Sequence, residues 1–209
     1  MGNPAAAPPF AAAIFDLGGV LIDWNPRHLY RKLFPGDEQG MERFLAEVAT
    51  GEWNSKQDAG RPFAEAIAEL QAAHPDKADL IAAYRDRWPE MIGGTNAETG
   101  QIIRDLKARG LRTYALSDWS AETFGMARSL VTELALFDDI QISGEARMIK
   151  PDPRLFRLAL ERFRLRPSEA FFVDDAQANV DGAQAAGMSA FLFTDAAALR
   201  TTLEGVGVL

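Results

Sequence analysis

The sequence predicts an α/β fold, in which a Rossmann-like, doubly wound parallel sheet carries a small helical bundle inserted as a cap. From residue 95 onwards, short apolar runs alternate with helical periodicity, which is typical of parallel strands joined by crossover helices. Between residues 24 and 94 the periodicity is helical, which indicates an inserted bundle. We therefore predict a core domain over residues 11–23 and 95–209, a cap over 24–94, and a flexible lead-in over residues 1–10.

The first predicted strand covers residues 11–15, an apolar run that ends at Asp16 and is followed by Gly18 and Gly19. Chemistry in open α/β sheets collects at the carboxyl ends of the strands. Asp16 is therefore a candidate nucleophile. An aspartate before two glycines is also a common turn former that bonds its own backbone, so Asp16 alone leaves both interpretations open.

About four helices are predicted within the cap, because apolar residues recur there at helical spacing and turn residues separate the groups. No strand is predicted between residues 26 and 93, and the pair Gly93 and Gly94 is the predicted return hinge. The segment between Gly51 and Gly60 is interpreted as a linker. The apolar residues that define the helices are Leu29, Leu33, Phe34, Phe44, Leu45, Val48, Phe63, Ile67, Leu70, Leu80, Ile81 and Tyr84.

Polar side chains follow three later strand-like runs, at the point where each run ends. Ser117 and Asp118 follow the first, Lys150 the second, and the pair Asp174 and Asp175 the third. Alone, a serine is a common helix N-cap, a lysine before proline a solvated loop charge, and paired aspartates an Asx turn. The predicted helices cover 98–109, 121–130, 153–163 and 178–186, and the strands cover 112–116, 139–142, 170–173 and 189–193.

With Asp16, Ser117, Lys150 and the pair Asp174 and Asp175 in this order, the chain resembles the haloacid dehalogenase superfamily of phosphohydrolases over nearly its whole length. It is similar to the bacterial branch with a small helical cap after the first strand, which includes sugar-phosphate phosphatases and 2-haloacid dehalogenases. The resemblance implies a Mg²⁺-dependent phosphatase. Asp16 would attack phosphorus to form an aspartyl-phosphate, which water then hydrolyses.

The resemblance also implies the ligands of the metal. Mg²⁺ prefers hard oxygen ligands. It is expected to bind Asp16, the backbone carbonyl of Gly18, and the pair Asp174 and Asp175. Within the pair, direct coordination is expected of Asp175 and coordination through water of Asp174.

Further residues are expected around the phosphate and the rest of the substrate. Ser117 and Lys150 would bind the phosphate, and the lysine would also neutralise the nucleophile. Asp118 stands where the subfamily often has Asn, so it would weaken phosphate binding or contact a sugar hydroxyl. Trp24 and Trp53 are candidates for the pocket wall because indole faces suit sugar rings, with packing in the core as the alternative.

Gly18 is the largest departure from the phosphatase pattern, which usually has a second aspartate there as the general acid for the leaving oxygen. Glycine has no side chain for this, a deficit of ~10²–10⁴ in rate if nothing replaces it. Water, Asp23 or His28 is a candidate replacement. A relatively acidic leaving group, such as an anomeric sugar hydroxyl, would be the other solution.

Composition and charge restrict the partners. The chain has 209 residues, a charged fraction of 25%, a net charge of −8 and no cysteine, which fits a globular protein in the cytoplasm without disulfides. An acidic chain argues against a nucleic-acid surface. No apolar run reaches the roughly 18 residues of a membrane span. We expect a cytoplasmic monomer or homodimer acting on a small phosphorylated molecule.

Two alternatives to a phosphatase stay open. In a 2-haloacid dehalogenase, Asp16 would attack carbon instead of phosphorus. The pair Asp174 and Asp175 argues against this chemistry, which needs no metal and involves a carboxylate substrate. The second alternative is a catalytically weak protein that binds a phosphorylated ligand, and Gly18 and Asp118 are the features that favour it.

Overall fold

The computed structural model describes residues 9–209, so most of the predicted lead-in over residues 1–10 lies outside the described residues. The described strands are β1 (Ala12–Phe15), β2 (Ile22–Trp24), β3 (Ile92–Thr95), β4 (Arg112–Ser117), β5 (Asp139–Ile142), β6 (Ala170–Asp174) and β7 (Ser189–Leu192). Five of them form a parallel sheet in the order β5-β4-β1-β6-β7. The predicted α/β class with a parallel sheet is confirmed.

Both faces of the sheet are covered, because side chains of β1 alternate between two apolar clusters. Ala13 and Phe15 pack in one cluster and Ala12 and Ile14 in the other, and all four are fully buried. The described helices are α1 (Arg27–Leu33), α2 (Glu38–Glu47), α3 (Gly51–Asp58), α4 (Phe63–Ala73), α5 (Ala78–Asp86), α6 (Ala97–Ala108), α7 (Ala121–Ala127), α8 (Ser143–Ala146), α9 (Pro153–Phe163), α10 (Gln177–Ala185) and α11 (Ala196–Gly205).

Helices α6 and α11 cover one face of the sheet and α9 covers the other. Ile102 of α6 and Leu199 of α11 pack in the cluster that contains Phe15, whereas Leu155 and Phe163 of α9 pack in the cluster that contains Ile14. Short 3₁₀-helices occupy Pro75–Lys77, Trp88–Met91, Thr132–Leu136 and Pro167–Glu169. The strand order places β1 between β4 and β6, so the side chains that follow these three strands meet at one edge.

The cap region contains α1 to α5, and α3 is the helix that the sequence patterns did not predict. Its sequence, GEWNSKQD, has Trp53 as its only large apolar residue, so no helical periodicity is visible. The Thr50 side chain caps this helix by accepting a hydrogen bond from the Trp53 amide, at 3.0 Å. Trp53 packs edge-on against Phe63 and Tyr84, with ring centroids 6.2 and 5.0 Å away. The segment predicted to be a linker is therefore part of the packed cap.

A small antiparallel sheet joins the cap to the core, which the prediction of no strand between residues 26 and 93 did not anticipate. Strands β2 and β3 pair here, with Asp23 opposite Gly94, whose φ of +140° favours glycine. The two strands are three and four residues long, too short to show alternation. They lie at the predicted boundaries of the cap, and the exact division at residues 24 and 94 stays a prediction.

The remaining elements lie close to their predicted positions, with two additions. Helix α7 ends at Ala127 instead of residue 130, and α8 and α11 were not predicted. In residues 9–209, no helix combines the length and the apolar character that a membrane crossing requires.

Helix α10 packs closely on the segment that follows Lys150, and Gly182 allows this approach. A Cβ at Gly182 would lie 2.9 Å from the Pro151 carbonyl oxygen and from Phe156 Cε2. We expect Gly182→Ala to lower the free energy of unfolding by about 1–3 kcal/mol, because overpacking exceeds the gain in helix propensity. Urea unfolding would measure this.

Gly125→Ala in α7 is the matched control for Gly182→Ala. A Cβ there meets no atom within 4 Å, and the residue is exposed. Helix propensity alone then predicts a gain of roughly 0.5–1 kcal/mol. Equal effects of the two substitutions would contradict the close packing of α10.

Candidate active site

Lys150 lies between two buried carboxylates at the carboxyl edge of the sheet. Its Nζ is 2.9 Å from Asp16 Oδ1 and 2.6 Å from Asp174 Oδ2. The side chains of Lys150, Asp16 and Asp174 are 1%, 11% and 0% exposed. Three side chains far apart in the sequence thus form one charged cluster that is largely removed from solvent.

Each member of the cluster is positioned by the backbone of an adjacent element. Asp16 follows β1, and its amide donates to the Val173 carbonyl of β6 at 2.8 Å. Asp174 is the last residue of β6. Lys150 lies between α8 and α9, and its amide donates to Asp118 Oδ1 at 3.0 Å. Asp118 thereby holds the lysine segment in place, a role different from the substrate contact that the sequence predicted.

Asn179 completes the surroundings of Asp174, and sequence reasoning did not identify it. Its Nδ2 lies 3.0 and 3.1 Å from the two carboxylate oxygens of Asp174, and the Ala176 amide donates to Oδ1 at 2.9 Å. Asn179 is in the first turn of α10, five residues after Asp174. That spacing was the available signal, because the first turn of a helix that follows a strand faces back toward the strand end.

Burial and neighbouring charges shift the pKa values of this cluster. Burial raises the pKa of Asp16 to about 6, against the opposing effect of the Lys150 charge. Burial lowers the pKa of Lys150, but the carboxylates of Asp16, Asp174 and Asp118 outweigh it and the net shift is upward. The lysine is therefore a permanent cation at neutral pH.

The acidic residues at this edge fit a divalent cation. Oxygens of Asp16, Asp174 and Asp175 lie within 4.8 Å of one another. Asp16 Oδ1 is buried and, despite its proximity to Lys150, has no directed hydrogen bond from any described residue. Burial, followed by the charge of Asp174, raises the pKa of Asp175. A hard cation such as Mg²⁺ would offset the excess of negative charge.

A pocket between the cap and the core adjoins the charged cluster and has a cavity volume of about 50 Å³. It contains Gly18, Trp24, Ser117 and Asp118 from the predicted site. Trp53, the other predicted wall residue, lies instead in the cap interior against Phe63 and Tyr84. The pocket is lined by Gly18, Trp24, Asn54, Asp58, Trp88, Ser117, Asp118, Trp119 and Thr123.

The two side chains considered as replacements for a general acid at Gly18 lie elsewhere. His28 Nε2 is 2.9 Å from Asp23 Oδ2, and this pair packs against Gly93 beside the two-stranded sheet. Neither residue lines the pocket that contains Gly18. Asp58, which sequence reasoning missed, lines the same pocket as Gly18.

Comparison with known protein families identifies the family of this chain. A model of haloacid dehalogenase-like hydrolases matches residues 10–187. This chain belongs to the haloacid dehalogenase-like hydrolases, which confirms the resemblance and the prediction of a hydrolase.

The chain is similar to several characterised phosphatases. It is 30% identical to the sesquiterpene phosphatase astK of Aspergillus oryzae, over 93% of this chain and 94% of that protein. It is 25% identical to the fructose-1-phosphate phosphatase YqaB of Escherichia coli, over 87% of this chain and 95% of that protein. Both relatives are named as phosphatases, and the names give different substrates.

Solved structures show the same fold. A haloacid dehalogenase family enzyme from Bacteroides thetaiotaomicron, crystallised with magnesium and inorganic phosphate, has a TM-score of 0.66 at 21% identity, over 88% of this chain and 93% of that chain. An L-2-haloacid dehalogenase has a TM-score of 0.66 at 20% identity, over 88% of this chain and 86% of that chain. At these identities the structural likeness concerns the fold alone.

Lys150 is expected to be essential for the stability of the carboxylate cluster. Lys150→Met would leave Asp16 and Asp174 buried without their cation, and we expect a loss of about 3–5 kcal/mol in the free energy of unfolding at pH 8. Removing the lysine raises the pKa of Asp16 further above its unfolded value. The stability of the variant therefore falls as the pH rises through that pKa, and the deficit shrinks at pH 5.5.

Urea unfolding with chelator at both pH values measures this effect. Lys32→Met is the matched control, because Lys32 pairs with Glu90 on the surface at 2.9 Å with a half-exposed side chain. That substitution should cost less than about 1 kcal/mol at either pH. A Lys150→Met deficit that does not depend on pH would contradict the charge-based account.

Proposed function

We propose that this protein is a Mg²⁺-dependent phosphatase that hydrolyses a small phosphorylated metabolite through an aspartyl-phosphate on Asp16. The observation that carries the proposal is the position of Asp16: a buried carboxylate beside Lys150 and two further aspartates, next to a pocket lined by Gly18 and Ser117. The similarity to phosphatases along most of the chain supports it.

The side chains divide the work of the reaction. The Asp16 carboxylate attacks phosphorus, the bond to the leaving oxygen breaks, and water later attacks the phospho-aspartate to release inorganic phosphate. Lys150 supplies a fixed positive charge for the phosphate oxygens, and Ser117 at the end of β4 supplies a hydroxyl. Mg²⁺ bound by Asp16, Asp175 and the Gly18 carbonyl, with Asp174 as a more distant ligand, would lower the repulsion between anions.

The pocket supports a small substrate, with sugar phosphates as the preferred class. Residues of both cap and core line it, and it combines the indoles of Trp24, Trp88 and Trp119 with polar side chains. Aromatic faces pack against the apolar faces of sugar rings, and carboxylates accept hydrogen bonds from hydroxyls. The relative that acts on fructose 1-phosphate is consistent with this class.

The first test is phosphate release from a panel of sugar phosphates and 4-nitrophenyl phosphate, with Mg²⁺ or chelator. We expect turnover that requires Mg²⁺ and falls at least ~10³-fold in Asp16→Asn, because the amide cannot act as the nucleophile. Asp86→Asn, an exposed carboxylate at the end of α5, is the control and should retain full activity. Turnover that survives Asp16→Asn would contradict the proposal.

Metal binding can be measured without turnover. We expect Asp175→Asn to weaken Mg²⁺ binding in calorimetry by about 10–100-fold, because one anionic ligand is lost while the fold is kept. Asp181→Asn, an exposed carboxylate in the helix that follows, is the matched control. Unchanged affinity in Asp175→Asn would place the metal elsewhere.

Haloacid dehalogenation and ligand binding without turnover are the outcomes that would replace the proposal. Chloride release from a 2-haloacid without any metal would favour the first. Phosphate or sugar-phosphate binding in the presence of Mg²⁺, without hydrolysis of any substrate, would favour the second. The cluster of Asp16, Asp174 and Asp175 supports a metal-dependent reaction over dehalogenation, and the similarity to phosphatases supports turnover over binding alone.

A further inference from the structure

A proton donor for the leaving group is missing from the site as described so far. When the bond from phosphorus to an alkyl oxygen breaks, the departing oxygen becomes a strong base, and protonation by a positioned acid accelerates the step. Gly18 cannot donate a proton from a side chain. Lys150 is engaged with Asp16 and Asp174 and is held in its charged state by them.

We propose that Asp58, supplied by the cap, is the acid that protonates the leaving oxygen. This inference rests on the proposed phosphatase function and adds one catalytic residue to it. Asp58 is the last residue of α3 and lines the same pocket as Gly18, Ser117 and Asp118. A substrate whose phosphate lies near Asp16 and whose leaving group extends into this pocket would bring the leaving oxygen toward Asp58.

The neighbours of Asp58 hold its carboxyl in place without making it an ion pair. Asn54 Nδ2 donates to Asp58 Oδ2 at 2.7 Å. The Asp58 backbone carbonyl accepts from Ser143 Oγ at 2.6 Å, which fixes the end of α3 to the core. No cation is among these partners within the described part of the chain.

The surroundings of Asp58 favour a protonated carboxyl at neutral pH. Burial and then the charge of Asp118 raise the pKa of Asp58 to about 7, with the Ser120 amide opposing. The titratable groups that face it are Asp118, from the loop after β4, and Tyr84 of α5, whose pKa is itself raised by burial and by Asp58. An acid with a pKa near the working pH can both donate and recover a proton.

Asp118 is less suited to this role than Asp58, although it lines the same pocket. Burial raises the pKa of Asp118, and the Lys150 charge and the Lys150 amide reduce this rise without reversing it. Asp118 Oδ1 is also occupied by that amide, at 3.0 Å. Asp118 therefore acts as the anion that keeps Asp58 protonated.

A second observation points to a ligand in the same pocket. Trp24 Nε1 is buried and has no hydrogen-bond partner among the described residues, and its side chain lines the pocket. An unpaired buried donor is costly unless a ligand or water supplies an acceptor. A hydroxyl or ether oxygen of the leaving group is an acceptor of the required kind.

The proposed steps balance in protons and electrons. Asp16 forms a bond to phosphorus, and the electron pair of the breaking bond goes to the leaving oxygen, which takes the Asp58 proton and departs as an alcohol. Asp58 is then a carboxylate. It takes up a proton from solvent after the alcohol leaves. Water attacks the phospho-aspartate, the bond between phosphorus and Asp16 breaks, and both protons of that water leave on inorganic phosphate.

The test compares alkyl and aryl phosphates, because only the alkyl leaving group needs an acid. In Asp58→Asn, we expect kcat for the best sugar phosphate or glycerol phosphate to fall ~100-fold or more, and kcat for 4-nitrophenyl phosphate to change less than ~5-fold. The control Asp86→Asn should change neither. Circular dichroism and thermal unfolding establish that each variant is folded.

The pH profile provides a readout that a purely structural role would not change. For the alkyl phosphate, kcat of the unsubstituted protein should fall above about pH 7 as Asp58 loses its proton. Removing the neighbouring anion lowers the pKa of Asp58, so Asp118→Asn should move this decline to lower pH. The decline should be absent in Asp58→Asn.

Several outcomes would overturn the inference, and they are separable from failure of the phosphatase proposal. Equal losses on alkyl and aryl phosphates in a folded Asp58→Asn would make the residue structural. Hydrolysis of the aryl phosphate alone by the unsubstituted protein would mean that no acid operates. No hydrolysis of any phosphate ester would end both proposals, whereas Asp16-dependent turnover with an unaltered Asp58→Asn would end only this one.

Discussion

The charge of Lys150 between Asp16 and Asp174 is the interaction on which the site depends. Two buried carboxylates and one ammonium group lose most of their hydration, and this loss is recovered only if the partners meet with good geometry. They meet because β1 and β6 are hydrogen-bonded neighbours and because Asp118 fixes the backbone of Lys150. The parallel strand order is thus a requirement of the charge arrangement as well as of the apolar core.

One cation does not neutralise this edge of the sheet. The charges of Asp16, Asp174 and Asp175 exceed the single charge of Lys150, and an oxygen of Asp16 has no hydrogen bond. Without a metal, this excess negative charge destabilises the folded protein, and it therefore favours a bound divalent cation. With the cation present, the same edge changes from one that repels phosphate to one that attracts it, so metal binding and substrate binding are linked.

Sequence reasoning reached the residues that follow strand ends, because an apolar run that stops at a polar side chain is a local signal. Asp16, Ser117 and Asp174 were found in this way. Helix α3 was missed because its face toward the cap interior is made by Trp53 with few apolar neighbours in sequence. Asp58 and Asn179 were missed for another reason: their importance comes from what lies opposite them in space. The position of Trp53 was missed for the same reason, because the sequence around a tryptophan does not show whether its indole packs in the cap interior or lines the pocket.

Hydrogen bonds between the cap and the core position Asp58, the residue through which we propose that the cap contributes to the chemistry. Ser143 Oγ donates to the Asp58 carbonyl at 2.6 Å and accepts from the Trp119 amide at 2.9 Å, so one core hydroxyl joins the end of α3 to the loop that follows β4. The Phe63 amide donates to Glu122 at 2.8 Å, a second connection a few residues further on. These bonds hold the Asp58 backbone beside Asp118 whatever the protonation state of its carboxyl. The backbones of Asp58 and Asp118 are therefore held in one arrangement, in which burial and then the charge of Asp118 raise the pKa of Asp58.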